Sequence, residues 1–225
     1  AKSYYARALK LRQTIAQRAA PATRDNRRRD VWVMARIQCD WSLRQRDFDA
    51  ACEYASAALE QASALLKARP DSPTAKADVA ASHALLGMAK SLAGDAVSGK
   101  ANYELALAIV RPLADEDTQD IDVQTTLTLV LARLGEHREA AVKADALRKL
   151  APRNVSVHYN AACSYARCCS AVRAGRAAAD LTDDDKKLAD TYANQAIEAL
   201  GQAIKIGFKD LEGMKGDHDL AVLAD

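Results

Sequence analysis

Histidine and cysteine are the side chains of this sequence best suited to bind a metal ion. His158, Cys163 and Cys168 follow one another at intervals of five residues. Five residues turn an α-helix by about 140° from the starting direction, so the three side chains cannot share one helix face. No second pair of ligands follows at the spacing of a zinc site. The pattern therefore predicts no metal centre, and nothing in the sequence calls for a cofactor.

Cys168 and Cys169 are adjacent, which raises the question of a redox role. Such a role needs a thiol with a lowered pKa, and the nearby Arg167 and Arg173 offer positive charge. The surrounding pattern is alanine-rich and helical, however, which favours thiols packed at a helix interface. The chain has five cysteines, an odd number without regular spacing. We therefore expect free thiols in a reducing compartment, and a cytoplasmic location.

Two acidic groups could also do chemistry. The run of Asp217, His218 and Asp219 contains acid and base groups, but it is more typical of the start of a terminal helix that Asp217 caps. The second group, Asp180 with residues 183–185, lacks the spaced ligands and the glycine of a calcium loop. It is predicted to be a solvated insert. Nucleophile elbows and phosphate loops are absent, so the sequence predicts no catalytic residue and no enzyme.

Charge gives no general attraction to polyanions, because 32 basic and 30 acidic residues leave a net charge of +2. A basic cluster at positions 24, 27, 28 and 29 is interrupted by Asp25 and carries no aromatic residues for base stacking. It is interpreted as a charged junction and an exposed helix start near Arg28. No apolar run approaches the roughly 18 residues that span a bilayer. We expect neither nucleic acid nor membrane as a partner.

The elements that must position these residues are helices. Apolar residues make up 49% of the chain, aromatic residues only 5%, and much of the apolar content is alanine, the best helix former. A tight turn followed by a helix with a small-residue stripe recurs four times, at 4–9, 47–59, 94–107 and 135–152. Such repetition predicts stacked helix pairs that bury one another's apolar stripes.

The predicted organisation is a single array with a capping tail at 207–225. Asp47 is expected to cap a helix, and Gly94 to end one in a left-handed conformation. Because the first pair begins in mid-motif, we expect the sequence to be a piece of a longer protein. The helix pairs are placed at about 1–20 (partial), 27–69, 72–114, 119–151 and 154–206.

These repeats resemble tetratricopeptide repeats. One pair supplies Leu86–Gly87, Gly94–Asp95, Tyr103 and Ala106, and the segment 122–152 has Leu127, Gly135, Ala140 and Pro152, with Thr128 where glycine is usual. The resemblance covers nearly the whole chain. It implies an all-α, right-handed superhelical solenoid of stacked antiparallel helix pairs, with about nine long helices and a short C-terminal cap.

A narrower resemblance lies at the C-terminus. Residues 195–200, 203–210 and 217–223 are similar to the terminal repeat in the tetratricopeptide tails of bacterial, notably planctomycete-type, serine/threonine protein kinases. The resemblance implies that a kinase domain precedes Ala1. The sequence itself contains no glycine-rich ATP loop, no His-Arg-Asp and no Asp-Phe-Gly motif, so any kinase activity would lie outside it.

The resemblance also implies a binding surface, because the first helix of each tetratricopeptide pair lines a concave groove. Cys163 and Leu129 stand where chaperone-binding members carry polar groups, so a chaperone C-terminal peptide is not expected. A protein or peptide partner in this groove is one hypothesis. The predicted groove residues are Arg36, Asp40, Asp122, Thr126, Arg133, Tyr159, Asn160 and Arg167.

The alternative is a structural or self-associating scaffold. The helix that contains Tyr4 and Leu11 would lack its partner in a cut first repeat. Its apolar face could then be exposed and form a homodimer.

Overall fold

The computed structural model describes residues 2–174, 176–177 and 180–223, which are helical apart from the connections between helices. None of the helices in these ranges is both long and apolar enough to cross a membrane. The helices are α1 (Lys2–Arg18), α2 (Pro21–Arg44), α3 (Phe48–Ala68), α4 (Pro73–Leu92), α5 (Ala96–Glu116), α6 (Ile121–Leu134), α7 (His137–Leu150), α8 (Val155–Arg173), α9 (Asp183–Lys205), α10 (Leu211–Lys215) and a final 3₁₀ turn (Ala221–Leu223).

The chain divides into two compact units, Ala1–Leu113 and Ala114–Asp225. In the first unit α2 packs against α1, α3 and α4, and α3 packs against α4. In the second unit α6 contacts α7 and α8, α7 contacts α8, and α8 contacts α9. Short connections make successive helices antiparallel neighbours. The all-α class with nine long helices among the described residues is confirmed, while the single array remains a prediction.

Several helix ends follow directly from the local sequence. Gly94 and Gly135 have φ values of 93° and 83°, the left-handed conformation that ends a helix. The side chain of Asp47 accepts a hydrogen bond from the backbone N–H of Ala50, as expected for an N-cap. Asn154 caps α8 in the same way through the N–H of Val157. These ends confirm the predicted turns.

Two helix starts differ from the sequence prediction. Helix α2 begins at Pro21 rather than near Arg28, because proline at the first helical position needs no N–H partner. The basic cluster therefore lies inside α2, where Asp25 pairs with Arg69 at 2.8 Å. The predicted charged junction is thus wrong.

The predicted acidic insert is also partly helix. The first turn of α9 contains Asp183, Asp184 and Asp185. Their negative charges interact favourably with the positive end of the helix dipole. Thr182 and Asp185 form a reciprocal capping box. The capping box is a local pattern, but a run of acids is also typical of a solvated loop.

Neighbouring helices meet through small residues. Ala51, Ala55, Ala58 and Ala62 are fully buried along one stripe of α3. One close approach is at Gly87 of α4, where an added Cβ would lie 2.8 Å from the ring of Tyr103 and 2.9 Å from the carbonyl oxygen of Gly99. Real Cβ atoms do not approach other atoms so closely, so this contact requires glycine.

Gly87→Ala should therefore lower the free energy of unfolding by about 1–3 kcal/mol, the usual cost of overpacking. Urea unfolding followed by circular dichroism measures the change. Gly201→Ala is the matched control, because Gly201 lies inside α9 and has nothing within 4 Å of the added Cβ. That control should raise stability by about 0.5–1 kcal/mol. Equal effects of the two substitutions would contradict the close contact.

Candidate functional site

The predicted groove residues of the second unit lie on α6 and α8. Thr126 and Arg133 are seven residues apart on α6, and Asn160 and Arg167 are seven apart on α8. Seven residues are close to two helical turns, so each pair shares one helix face. Because α6 and α8 contact each other, these faces can form one surface. We call Arg133, Tyr159, Cys163 and Arg167 the α6/α8 face.

The chain's own C-terminus covers this face. Arg133 donates a hydrogen bond from its guanidinium to Asp219 Oδ2 at 2.5 Å, and this ion pair is almost fully enclosed. Asp219 and Leu220 are buried, and the final 3₁₀ turn packs against α8. We call residues 216–223 the acidic C-terminal segment.

Tyr159 fixes the other end of the segment. Its hydroxyl donates to Asp217 Oδ2 at 2.6 Å. Its ring stacks on Phe208, with the ring centroids 4.7 Å apart and the planes inclined by 11°. The Cys163 thiol lies near both acids and is 3.9 Å from Asp217 Oδ2. The two carboxylates therefore meet a tyrosine hydroxyl at one end of the face and an arginine at the other.

A tight turn presents the two carboxylates together. Asp217 Oδ1 accepts a hydrogen bond from the backbone N–H of Asp219 at 2.9 Å. The N–H of Leu220 bonds to the carbonyl of Asp217, and that of Leu223 to the carbonyl of Leu220. Asp217 was predicted to cap a terminal helix, and its Oδ1 does cap this turn. Its second oxygen bonds Tyr159, a role that the sequence interpretation missed.

Burial controls the protonation of these groups. It raises the pKa of the Cys163 thiol well above its ordinary value, and the nearby Asp217 and Asp219 raise it further. Burial also raises the pKa of Asp219, while the charge of Arg133 opposes that shift. The thiol is therefore neutral at physiological pH and is no nucleophile.

Among the described residues, the side chains close enough together to hold a metal ion are Cys163, Asp217 and Asp219, with ligand atoms within 4.8 Å of one another. The carboxylates already have protein partners in Tyr159 and Arg133. A cation would also meet the positive charge of Arg133, which disfavours it. The arrangement therefore favours these protein contacts over a bound cation.

The histidine and cysteines of the rejected zinc pattern serve separate contacts. The ring Nε2 of His158 lies 3.0 Å from the carbonyl oxygen of Pro152, within hydrogen-bond distance. The Cys168 thiol donates to the carbonyl oxygen of His137. Burial raises the pKa of Cys168 to about 12 and also raises that of Cys169. All five cysteines are free, and four are buried, which confirms the predicted packing of most of the thiols.

The remaining predicted groove residues have other surroundings. In the first unit, the Arg36 guanidinium lies over the Trp32 ring at 4.5 Å, and Asp40 is exposed on α2. In the second unit, Asp122 is exposed, and its carbonyl accepts from the hydroxyl of Thr126. Asn160 is half-buried on α8.

Three predicted residues, Arg133, Tyr159 and Arg167, thus share one surface. The sequence interpretation missed their partners, Asp217 and Asp219. The spacing of two residues between the acids is visible in the sequence. However, no local pattern connects Asp217 to Tyr159, which lies 58 positions away, or Asp219 to Arg133, which lies 86 positions away.

Comparisons with known proteins give little further information. No protein-family model and no curated protein matches the chain. Among solved structures, the chain is similar to the "Crystal structure of MamA protein", with 16% identity and a TM-score of 0.32. That match covers 79% of this chain and 96% of the other.

The thiols of α8 should resist alkylation in the folded protein. At pH 8 we expect iodoacetamide to modify Cys163, Cys168 and Cys169 at least about tenfold more slowly than the half-buried Cys52, because burial blocks access and suppresses the thiolate. Peptide mass spectrometry measures each rate, and unfolding in urea is the control that should equalise them. Fast modification of Cys168 in the folded protein would contradict this prediction and support a redox role for the thiol.

Proposed function

We propose that this chain is a non-catalytic protein interaction module that binds a peptide or partner protein on the face formed by α6 and α8. One observation carries the proposal: this face holds a segment that is not α-helical through a tyrosine hydroxyl and an arginine. Side chains that bind such a segment from the same chain have the chemistry to bind one from a partner. The resemblance of the repeats to tetratricopeptide arrays supports the same function.

We further propose that the module is the regulatory or targeting tail of a bacterial serine/threonine protein kinase and works in the cytoplasm. The support is the resemblance of residues 195–223 to such tails. The coding sequence upstream of Ala1 tests this part. A kinase domain there supports the proposal, whereas an upstream coding region without kinase motifs contradicts it.

Self-association is a second candidate, and exposed apolar residues in the first unit favour it. Leu11 and Ile15 are 62% and 45% exposed on α1, and they lie four residues apart on one helix face. Val33 and Ile37 form a similar exposed pair on α2. Sedimentation at several concentrations tests this candidate, since a homodimer should dissociate on dilution. The side chain of Tyr4, named for this role, lies outside the described residues.

The partner-binding proposal predicts that Asn160→Ala/Arg167→Ala loses a partner that the wild-type chain captures from the lysate of its source cell. Removing the amide and the guanidinium takes away hydrogen-bond donors from α8 without creating a cavity in the core. Quantitative mass spectrometry of the captured proteins measures the loss, which should be at least about tenfold for side chains central to a binding site.

The matched control is Lys187→Ala/Asn194→Ala. These residues are also seven apart and are exposed on α9, so the control removes one cation and one amide elsewhere. It should retain the partner. Equal capture of a partner by all three proteins would contradict binding on this face and favour a spacer or self-association role.

A further inference from the structure

We infer that the acidic C-terminal segment is a built-in occupant of the α6/α8 face, and that the partner it excludes is an acidic peptide with two carboxylates two residues apart followed by leucine. The inference rests on the proposed function and adds the chemical class of the partner and a means of regulation. The occupying sequence, residues 216–223, reads Gly-Asp-His-Asp-Leu-Ala-Val-Leu.

Charge complementarity is the first support. The face brings two cations, Arg133 and Arg167, toward one carboxylate, Asp219. The Arg133–Asp219 pair is only 11% exposed on each side. An arginine in such a place needs an anion, because an uncompensated buried charge is strongly unfavourable. When the segment leaves, the face would therefore favour another carboxylate over a neutral or basic peptide.

The segment leaves one hydrogen-bond donor of the α6/α8 face, Arg167 Nε, without an acceptor in the described part of the chain. Arg167 Nε lies 4.0 Å from Asp219 Oδ1, too far for a hydrogen bond. This nitrogen is buried and has no hydrogen-bond partner among the described residues. A carboxylate in a separate peptide, free of the chain connection that constrains Asp219, could approach both arginines. The built-in occupant is thus a weaker ligand for Arg167 than the face allows.

The segment is built to detach. Its backbone bonds close local turns, such as that from Leu220 N–H to the Asp217 carbonyl. The helix before it, α10, has five residues and none of them is buried. Release would cost the contacts of Asp217, Asp219 and Leu220 while leaving the helix stack in place, which is typical of a region that opens locally.

Tethering explains why a partner would need to compete. A segment joined to its site by a short linker acts at an effective concentration of about the millimolar range. A free peptide then binds with an apparent affinity reduced by the fraction of open molecules. The wild-type chain should therefore bind the acidic peptide weakly, and a chain with a weakened segment should bind it more tightly.

The test uses the full chain and a fluorescein-labelled peptide with the sequence of residues 216–223. Fluorescence anisotropy should give a dissociation constant at least about tenfold lower for Asp217→Asn/Asp219→Asn than for the wild type, if the segment is docked in about nine molecules of ten. Adding Arg133→Ala to this double variant should abolish the gain. The matched control, Arg138→Ala, removes an exposed cation of α7 and should preserve it.

A second readout follows release of the segment itself. Cys163 is 4% exposed beneath the segment, so its alkylation should accelerate in the double variant. Cys168 and Cys169 should stay protected, since they pack elsewhere in the helix stack. If the double variant loses helicity by circular dichroism, Asp219→Asn alone provides the same test with a smaller gain.

Two outcomes would overturn the inference. Continued protection of Cys163 in a helical variant would mean that the two acids do not hold the segment. An accessible Cys163 without tighter peptide binding would mean that the face does not accept acidic peptides. Either result leaves the lysate experiment free to succeed with another partner, so failure of this inference is distinguishable from failure of the proposed function.

Discussion

Close approach between helices is the constraint on which this structure depends. Alanine satisfies it at most contacts because its side chain loses no rotamer entropy and lets neighbouring backbones come near. The fully buried stripe of α3 is an example, as are Ala196, Ala199 and Ala203 of α9. Where a large side chain lies in a helix interface, the residue opposite it must be small. Tyr103, for example, requires glycine at position 87. Each helix therefore needs its neighbour to bury an otherwise shallow apolar stripe.

Polar contacts between helices fix the register of neighbouring helices at these alanine-rich interfaces. Tyr165 is fully buried and donates its hydroxyl proton to Asp145 of α7 at 2.5 Å. In the first unit the Trp32 indole donates to Ser82, joining α2 to α4. Buried polar groups are costly when unpaired. Sliding one helix along another would break these pairs, so the contacts favour one register where alanine packing alone would tolerate several.

The face formed by α6 and α8 uses the same chemistry for a different purpose. Arg133 and the Tyr159 hydroxyl donate hydrogen bonds to the acidic C-terminal segment. The surface thus already accommodates a short segment of its own chain. Because Arg167 remains incompletely satisfied, the segment fits the role of a replaceable cover better than that of a permanent core element.

Local sequence determined the class of fold and many helix ends, because caps and left-handed glycines act within one turn. Gly94, Gly135 and Asp47 could be identified without any tertiary contact. Pro21 could not, since proline both follows helices and begins them. Only the tertiary structure decided that Asp217 and Asp219 meet Tyr159 and Arg133. Those contacts join positions 58 and 86 residues apart, and the path of the chain between them depends on packing that no local pattern records.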